Sequence, residues 1–217
     1  MTDTAIGKGH SDHFWGRVRQ AIGSLRPVHQ EKEPAYGQAA IARQIGVKPK
    51  VGARIEEELV EAWNSSALAR VSMSLLVIEI DRYRDYYTTY GKGATDDCVR
   101  TVMQTIANTL PRDEDTCLRM GRATFVLALP DLPVLMARKL AADIAKAIRE
   151  QGLAHKESHA GTVTLSMGLA AINPSGEYDR KFFEAGAGAL KKAQRRGLSR
   201  LEVVDLRPAQ ERKRKAA

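Results

Sequence analysis

Apolar and polar positions follow two rhythms along this chain, one helical and one of strands. Between Val51 and Leu68 the apolar residues Ile55, Leu59, Trp63 and Leu68 return on roughly one side of a helix, with Glu56, Glu57 and Glu58 outside the stripe. Ser72 to Ile80 holds the unbroken run Leu75-Leu76-Val77-Ile78, the pattern of a strand covered on both faces. A helix from about Ala94 to Leu110 buries Val99, Val102, Met103, Ile106 and Leu110. Arg112 to Phe125 reads as strand, tight turn, strand. Thr116, Leu118 and Met120 share one side, Gly121-Arg122 turns, and Thr124 to Leu129 returns into a core. Pro133 opens a helix to Gln151 with Leu135, Leu140, Ile144 and Ile148 inward. A strand over Gly161–Ala170, a helix over Lys181–Arg196 and a strand over Leu201–Val204 complete the pattern.

Upstream, residues 1–11 carry no pattern and read as disordered. Phe14, Trp15, Val18, Ile22 and Leu25 then form an apolar helical stripe, with Arg17, Arg19 and Gln20 off it. Such a helix docks on its own domain, enters a partner's groove, or lies on an acidic membrane surface. Pro27 to Pro34 is a polar linker, and Ala35 to Gln44 a short helix closed by Gly46 and Lys48-Pro49. Three parts follow from this: an N-terminal extension at 1–34 with its helix at 14–25, a folded domain at 35–205, and a basic tail at 206–217. The element order, βαββαβ with one added strand, predicts an α/β (α+β sandwich) fold, a mixed sheet packed by helices.

Composition changes this picture little. At 217 residues, 43% hydrophobic and 28% charged, the chain has the make-up of an ordinary globular protein. The net charge of +8 raises nucleic-acid binding, but much of the excess is local. The segment from Arg207 carries five basic residues against Glu211, and Lys191, Lys192, Arg195, Arg196 and Arg200 cluster before it. No zinc spacing, helix-turn-helix or aromatic-interleaved basic sheet accompanies them, so no nucleic-acid partner is expected. Cys98 and Cys117 lack metal-ligand spacing and read as buried structural thiols of a reducing compartment. No apolar run is long enough to span a membrane, and the expected location is cytoplasmic.

Chemistry centres on the strand–turn–strand segment. Its tip offers Arg122, Ala123 and Thr124 and no carboxylate, while its shoulder offers Arg112 and Asp115, a donor and an acceptor three residues apart. In this context Gly121-Arg122-Ala123-Thr124-Phe125 resembles the Gly-Gly-Asp/Glu-Glu-Phe hairpin of the GGDEF (diguanylate cyclase) family. Arg112-Asp113-Glu114-Asp115 resembles that family's Arg-x-x-Asp product-binding inhibitory motif. Leu75 to Asp81, Tyr90-Gly91, Val163 to Gly168 and Ala193 to Gly197 appear in family order, so the resemblance runs from about Gly46 to Asp205.

The resemblance implies a degenerate member. Glu79 stands where the family's strand-end Asp joins the hairpin acid in binding magnesium, and the hairpin acid is absent. Tyr87 replaces the guanine-reading Asn, whereas Asp96 matches a second guanine-contacting acid. Gln194 replaces the triphosphate Lys, Ala187 and Lys191 replace an Asp and a Tyr of that helix, and Leu198 replaces a nearby Arg. Asp143 occupies the place of a second product-binding arginine. Gln44 to Lys50 replaces the family's Asp-x-Leu-Thr-Gly turn. The implied protein is not an enzyme, holds no metal or cofactor, and binds cyclic di-GMP through Arg112 and Asp115. It would signal to a protein partner through its N-terminal helix or sheet surface, or act as a homodimer. A scaffold without nucleotide binding and a divergent cyclase working through Glu79 stay open beside that reading.

Overall fold

The computed structural model describes residues 51–112 and 115–208. The expected helix at 14–25, the linker, the short helix at 35–44 and most of the basic tail lie outside the described residues. Helix α1 (Val51–Ala69) leads into strand β1 (Met73–Ile80), then α2 (Tyr83–Thr109), β2 (Thr116–Arg119), β3 (Thr124–Pro130), α3 (Val134–Glu150), β4 (Leu165–Ile172), α4 (Lys181–Arg195) and β5 (Leu201–Asp205). The strands form one mixed sheet in the order β2-β3-β1-β4-β5. β1 is central and antiparallel to both β3 and β4, and β5 joins β4 in parallel.

Alternation along β1 divides the core. Leu76, Ile78 and Ile80 point into a cluster with Val99, Val102 and Ile106 of α2 and Leu140, Ile144 and Ile148 of α3. Met73, Leu75 and Val77 point into the opposite cluster with Ile55, Leu59 and Trp63 of α1 and Phe182 and Leu190 of α4. Helices on both faces are why the strand needs an unbroken apolar run. α4 lies unusually close to the sheet. A Cβ on Gly168 would come within 2.2 Å of the Gly186 carbonyl oxygen and of the Leu190 nitrogen, so only glycine lets helix and strand backbones meet there.

Several elements differ from the sequence expectation. α2 begins at Tyr83 rather than near Ala94, and it is two helical segments joined at Gly91 (φ 75°, ψ −177°). The polar, glycine-interrupted first segment has too weak a stripe to announce itself. Leu68 and Leu135, expected inward, are both exposed. Leu68 follows Trp63 by five residues, a separation that turns it off the buried face, and Leu135 lies in the first turn of α3. Glu56, expected outside the stripe, is buried. The strand expected from Gly161 starts at Leu165, and the segment before it forms only a bridge between Ala154 and Thr162.

Candidate functional site

The β1 end and the β2–β3 hairpin meet in register, Glu79 opposite Thr124. The hairpin closes with the Met120 amide donating to the Thr124 carbonyl at 2.8 Å, and Gly121 takes φ 139°, a conformation side chains rarely adopt. Arg119 folds over the turn, its Nε donating to the Gly121 carbonyl and an Nη2 to the Arg122 carbonyl, both at 2.6 Å. The hairpin's own cation therefore caps its turn. Ala123, at the third position of the expected signature, is only 7% exposed and packs in the α2–α3 core, while its carbonyl accepts from the Ile80 amide at 3.0 Å. The Thr124 hydroxyl donates to Glu79 Oε2 at 3.3 Å. Where a second carboxylate would share a cation with Glu79, a hydroxyl hydrogen-bonds to it instead. Among the described residues no three His, Cys, Asp or Glu side chains gather as a metal site. At the strand end and hairpin tip the protein therefore offers one carboxylate, Glu79, and one hydroxyl, Thr124, toward a cation, where magnesium sites commonly use one or two carboxylates with waters and substrate phosphates.

Asp81, two residues on, has a different role. It is buried, and its oxygens accept from the Thr164 hydroxyl (2.7 Å), the Ser166 hydroxyl (2.5 Å) and the Ser199 amide (2.9 Å). It ties the end of β1 to the lead-in and start of β4 and to the α4–β5 turn, a structural function that the sequence reading missed. Beyond the hairpin, burial pushes the Tyr83 phenol above its ordinary value, against the pull of Arg119 and Arg122, with Asp96 and Tyr87 adding to the rise. Burial likewise lowers the Arg119 guanidinium, offset by Tyr83 and Asp96. Tyr83 and Asp96 thus lie within electrostatic reach of Arg119 of the hairpin, and Tyr87 within reach of Tyr83. At the end of α4, Lys192 and Arg196 pair with Glu202 at 3.2 and 2.9 Å, so Lys192 is committed away from the hairpin. Burial drives the thiols of Cys98 and Cys117 up, to about 11 and about 12, in keeping with inert core residues.

The shoulder is built tightly. Arg112 Nη2 meets Asp115 Oδ1 at 2.7 Å and Nε donates to Oδ2 at 3.4 Å. Nη1 donates to the Asp131 carbonyl at 3.1 Å, and Nη2 also donates to the Pro130 carbonyl. The Arg112 side chain is 24% exposed and that of Asp115 fully buried at 0%. The pair fastens the start of β2 to the β3–α3 turn. The sequence reading had Asp115 accepting from guanine; in the structure both of its oxygens face its own arginine. Asp143 on α3 pairs with Lys139 at 2.6 Å. The shoulder lies at the Pro130 end of β3 and the hairpin at the Thr124 end, about 20 Å apart along the strand.

A five-stranded mixed sheet covered by helices on both faces, with an acidic strand end against a β-hairpin, defines a palm-like nucleotidyl-cyclase fold. The family model described as "Diguanylate cyclase, GGDEF domain" matches residues 53–200, and the chain belongs to that family. It is 28% identical to Diguanylate cyclase A of Treponema denticola over 140 residues, 64% of this chain and 37% of that protein. Diguanylate cyclase DosC of Escherichia coli is 26% identical over 131 residues, 60% of this chain and 28% of its own. The match therefore spans only 37% and 28% of these relatives' own lengths. Among solved structures, the GGDEF domain of DgcB from Caulobacter crescentus in complex with c-di-GMP superposes with a TM-score of 0.62 at 20% identity, covering 81% of this chain and 98% of that one. The FimX GGDEF domain from Pseudomonas aeruginosa gives 0.60 at 17% identity, covering 69% and 91%. At such identities these structures establish the fold.

Proposed function

We propose that this chain is a GGDEF domain that has lost turnover and works by binding. The observation that carries the reading is the Thr124 hydroxyl bonded to Glu79, with Ala123 buried in the core beside it. Removing one preorganised charge or donor from such a site typically costs about 10²–10³ in rate, and here the metal's hairpin ligand, the base-reading amide and the triphosphate cation are all absent. The expected ligand is cyclic di-GMP at Arg112. The guanidinium fork matches guanine O6 and N7, its flat face stacks on a purine, and part of it reaches solvent. In the closed arrangement Asp115 holds the arginine in place. At least four of the five guanidinium N–H groups are engaged in this closed arrangement, so a bidentate contact to guanine, and the reading of its N1 and N2 donors by Asp115, both require Arg112 to release these partners.

A second reading, a scaffold that binds no nucleotide, is favoured by the same pair: a fully buried Asp115 and an Arg112 anchored on two backbone carbonyls are also what a purely structural clamp looks like. One titration separates the two. Calorimetry of the full chain with cyclic di-GMP should give micromolar binding, weakened roughly five-fold to a hundred-fold by Arg112→Ala. Absence of binding to the wild-type chain, or an Arg112→Ala chain that binds as well, leaves the scaffold. Incubation with GTP and magnesium or manganese should leave the nucleotide unchanged; cyclic di-GMP formed above a blank would sink the claim that turnover is lost.

A further inference from the structure

Glu56 is the one residue of the α1 acidic run that points inward. It sits three residues before Leu59 and seven before Trp63, so it shares their face of the helix, and it is only 6% exposed. Neither carboxylate oxygen has a hydrogen-bond partner. Trp63 on the same face packs against Tyr178 and Phe182 at ring distances of 5.5 and 5.8 Å, marking the seam where α1 meets α4 and its lead-in. An ionised carboxylate left there without a partner is costly, and the group escapes that cost by taking up a proton.

We propose that Glu56 is a proton-held latch on α1: neutral, it lies in the seam with α4, and ionised, it loosens the helix and turns toward Arg180. Burial indeed pushes the Glu56 carboxyl above its ordinary value of 4.5, and Arg180 pulls it partly back. The groups around it fit this assignment. The sheet residues of that cluster, Met73, Leu75, Val77, Val126 and Ala128, are apolar, as are Leu118 and Met120 of the neighbouring strand and turn. The charged residues at the start of α4 are Asp179, Arg180, Lys181 and Glu184; Lys181 lies 3.8 Å from Asp179, and Arg180 lies 3.9 Å from Glu184. Glu57 and Glu58, the neighbouring acids on α1 itself, are half-buried. The latch would make the seating of α1 on the sheet depend on pH. The idea is independent of whether the domain binds a dinucleotide.

An acid with a raised folded-state value adds stability that is complete below its unfolded value and is lost as pH rises through the folded one. Urea unfolding of the full chain, wild type against Glu56→Gln, reads this directly. At about pH 8 the variant should unfold at higher urea, and the gap should shrink toward about pH 5, by up to tenfold in folding constant per pH unit. Hydrogen exchange in α1 should quicken with pH more in wild type than in the variant, relative to β1. Arg180→Ala should widen the gap at about pH 8, because the ionised form loses its attraction. A gap that does not change with pH, a variant less stable than wild type at about pH 8, or a gap narrowed by Arg180→Ala overturns the latch.

Discussion

The two ends of β3 have opposite characters. At the Thr124 end the acids expected of a cyclase are absent, and what remains is a core alanine, a hydroxyl on Glu79 and an arginine capping its own turn. At the Pro130 end an arginine and an aspartate are locked to each other and to two backbone carbonyls. Substitution of Thr124 at the first end should leave little energetic trace, because its hydroxyl makes one long contact to Glu79 at 3.3 Å. Loss at the second would strand a guanidinium or a buried carboxylate. Cheap and costly positions therefore sit about 20 Å apart on one strand.

Substitutions at three positions probe that contrast, in order of size. Asp81→Ala should be the most damaging, because it strands two hydroxyls and an amide around a buried gap. A loss of about 3–5 kcal/mol is expected by urea or thermal unfolding. A loss below about 1 kcal/mol would mean that the β1 end is as dispensable as the hairpin tip. At the shoulder, Asp115→Ala should cost about 2 kcal/mol by leaving Arg112 unneutralised, and Asp115→Asn less, since the amide oxygen still accepts. Thr124→Ala should stay within about 0.5 kcal/mol of wild type; equal costs for Asp115→Ala and Thr124→Ala would erase the contrast. The smallest effect is a gain. Thr124→Glu places a second carboxylate beside Glu79, so millimolar magnesium should raise the melting temperature of that variant by a few degrees and leave wild type unmoved. A wild-type chain stabilised by magnesium would show that Glu79 retains a cation site.

The sequence disclosed the fold where burial is two-sided and the hairpin where its ladder is short. Leu75 to Ile78 and Thr124 to Leu129 could be read because each apolar residue has a cluster waiting on its own face. The first segment of α2 was hidden, since Tyr83 to Tyr90 is mostly polar and Gly91 breaks the period. Within the site, the missing hairpin acid was legible from one stretch of chain. The staple at Asp81 was not, because its partners lie 83, 85 and 118 residues away. The burial of Asp115 was hidden for a like reason: the carbonyls that anchor Arg112 belong to Pro130 and Asp131, beyond the hairpin. Glu56 misled outright, as a charge in an acidic run looks solvated until the neighbouring helix is in place.

Gly168 carries a consequence for how a chain of this kind drifts. Any side chain there would have to push the Gly186 carbonyl oxygen and the Leu190 nitrogen away from 2.2 Å, and with them the whole of α4. This glycine cannot be exchanged while helix and strand still touch.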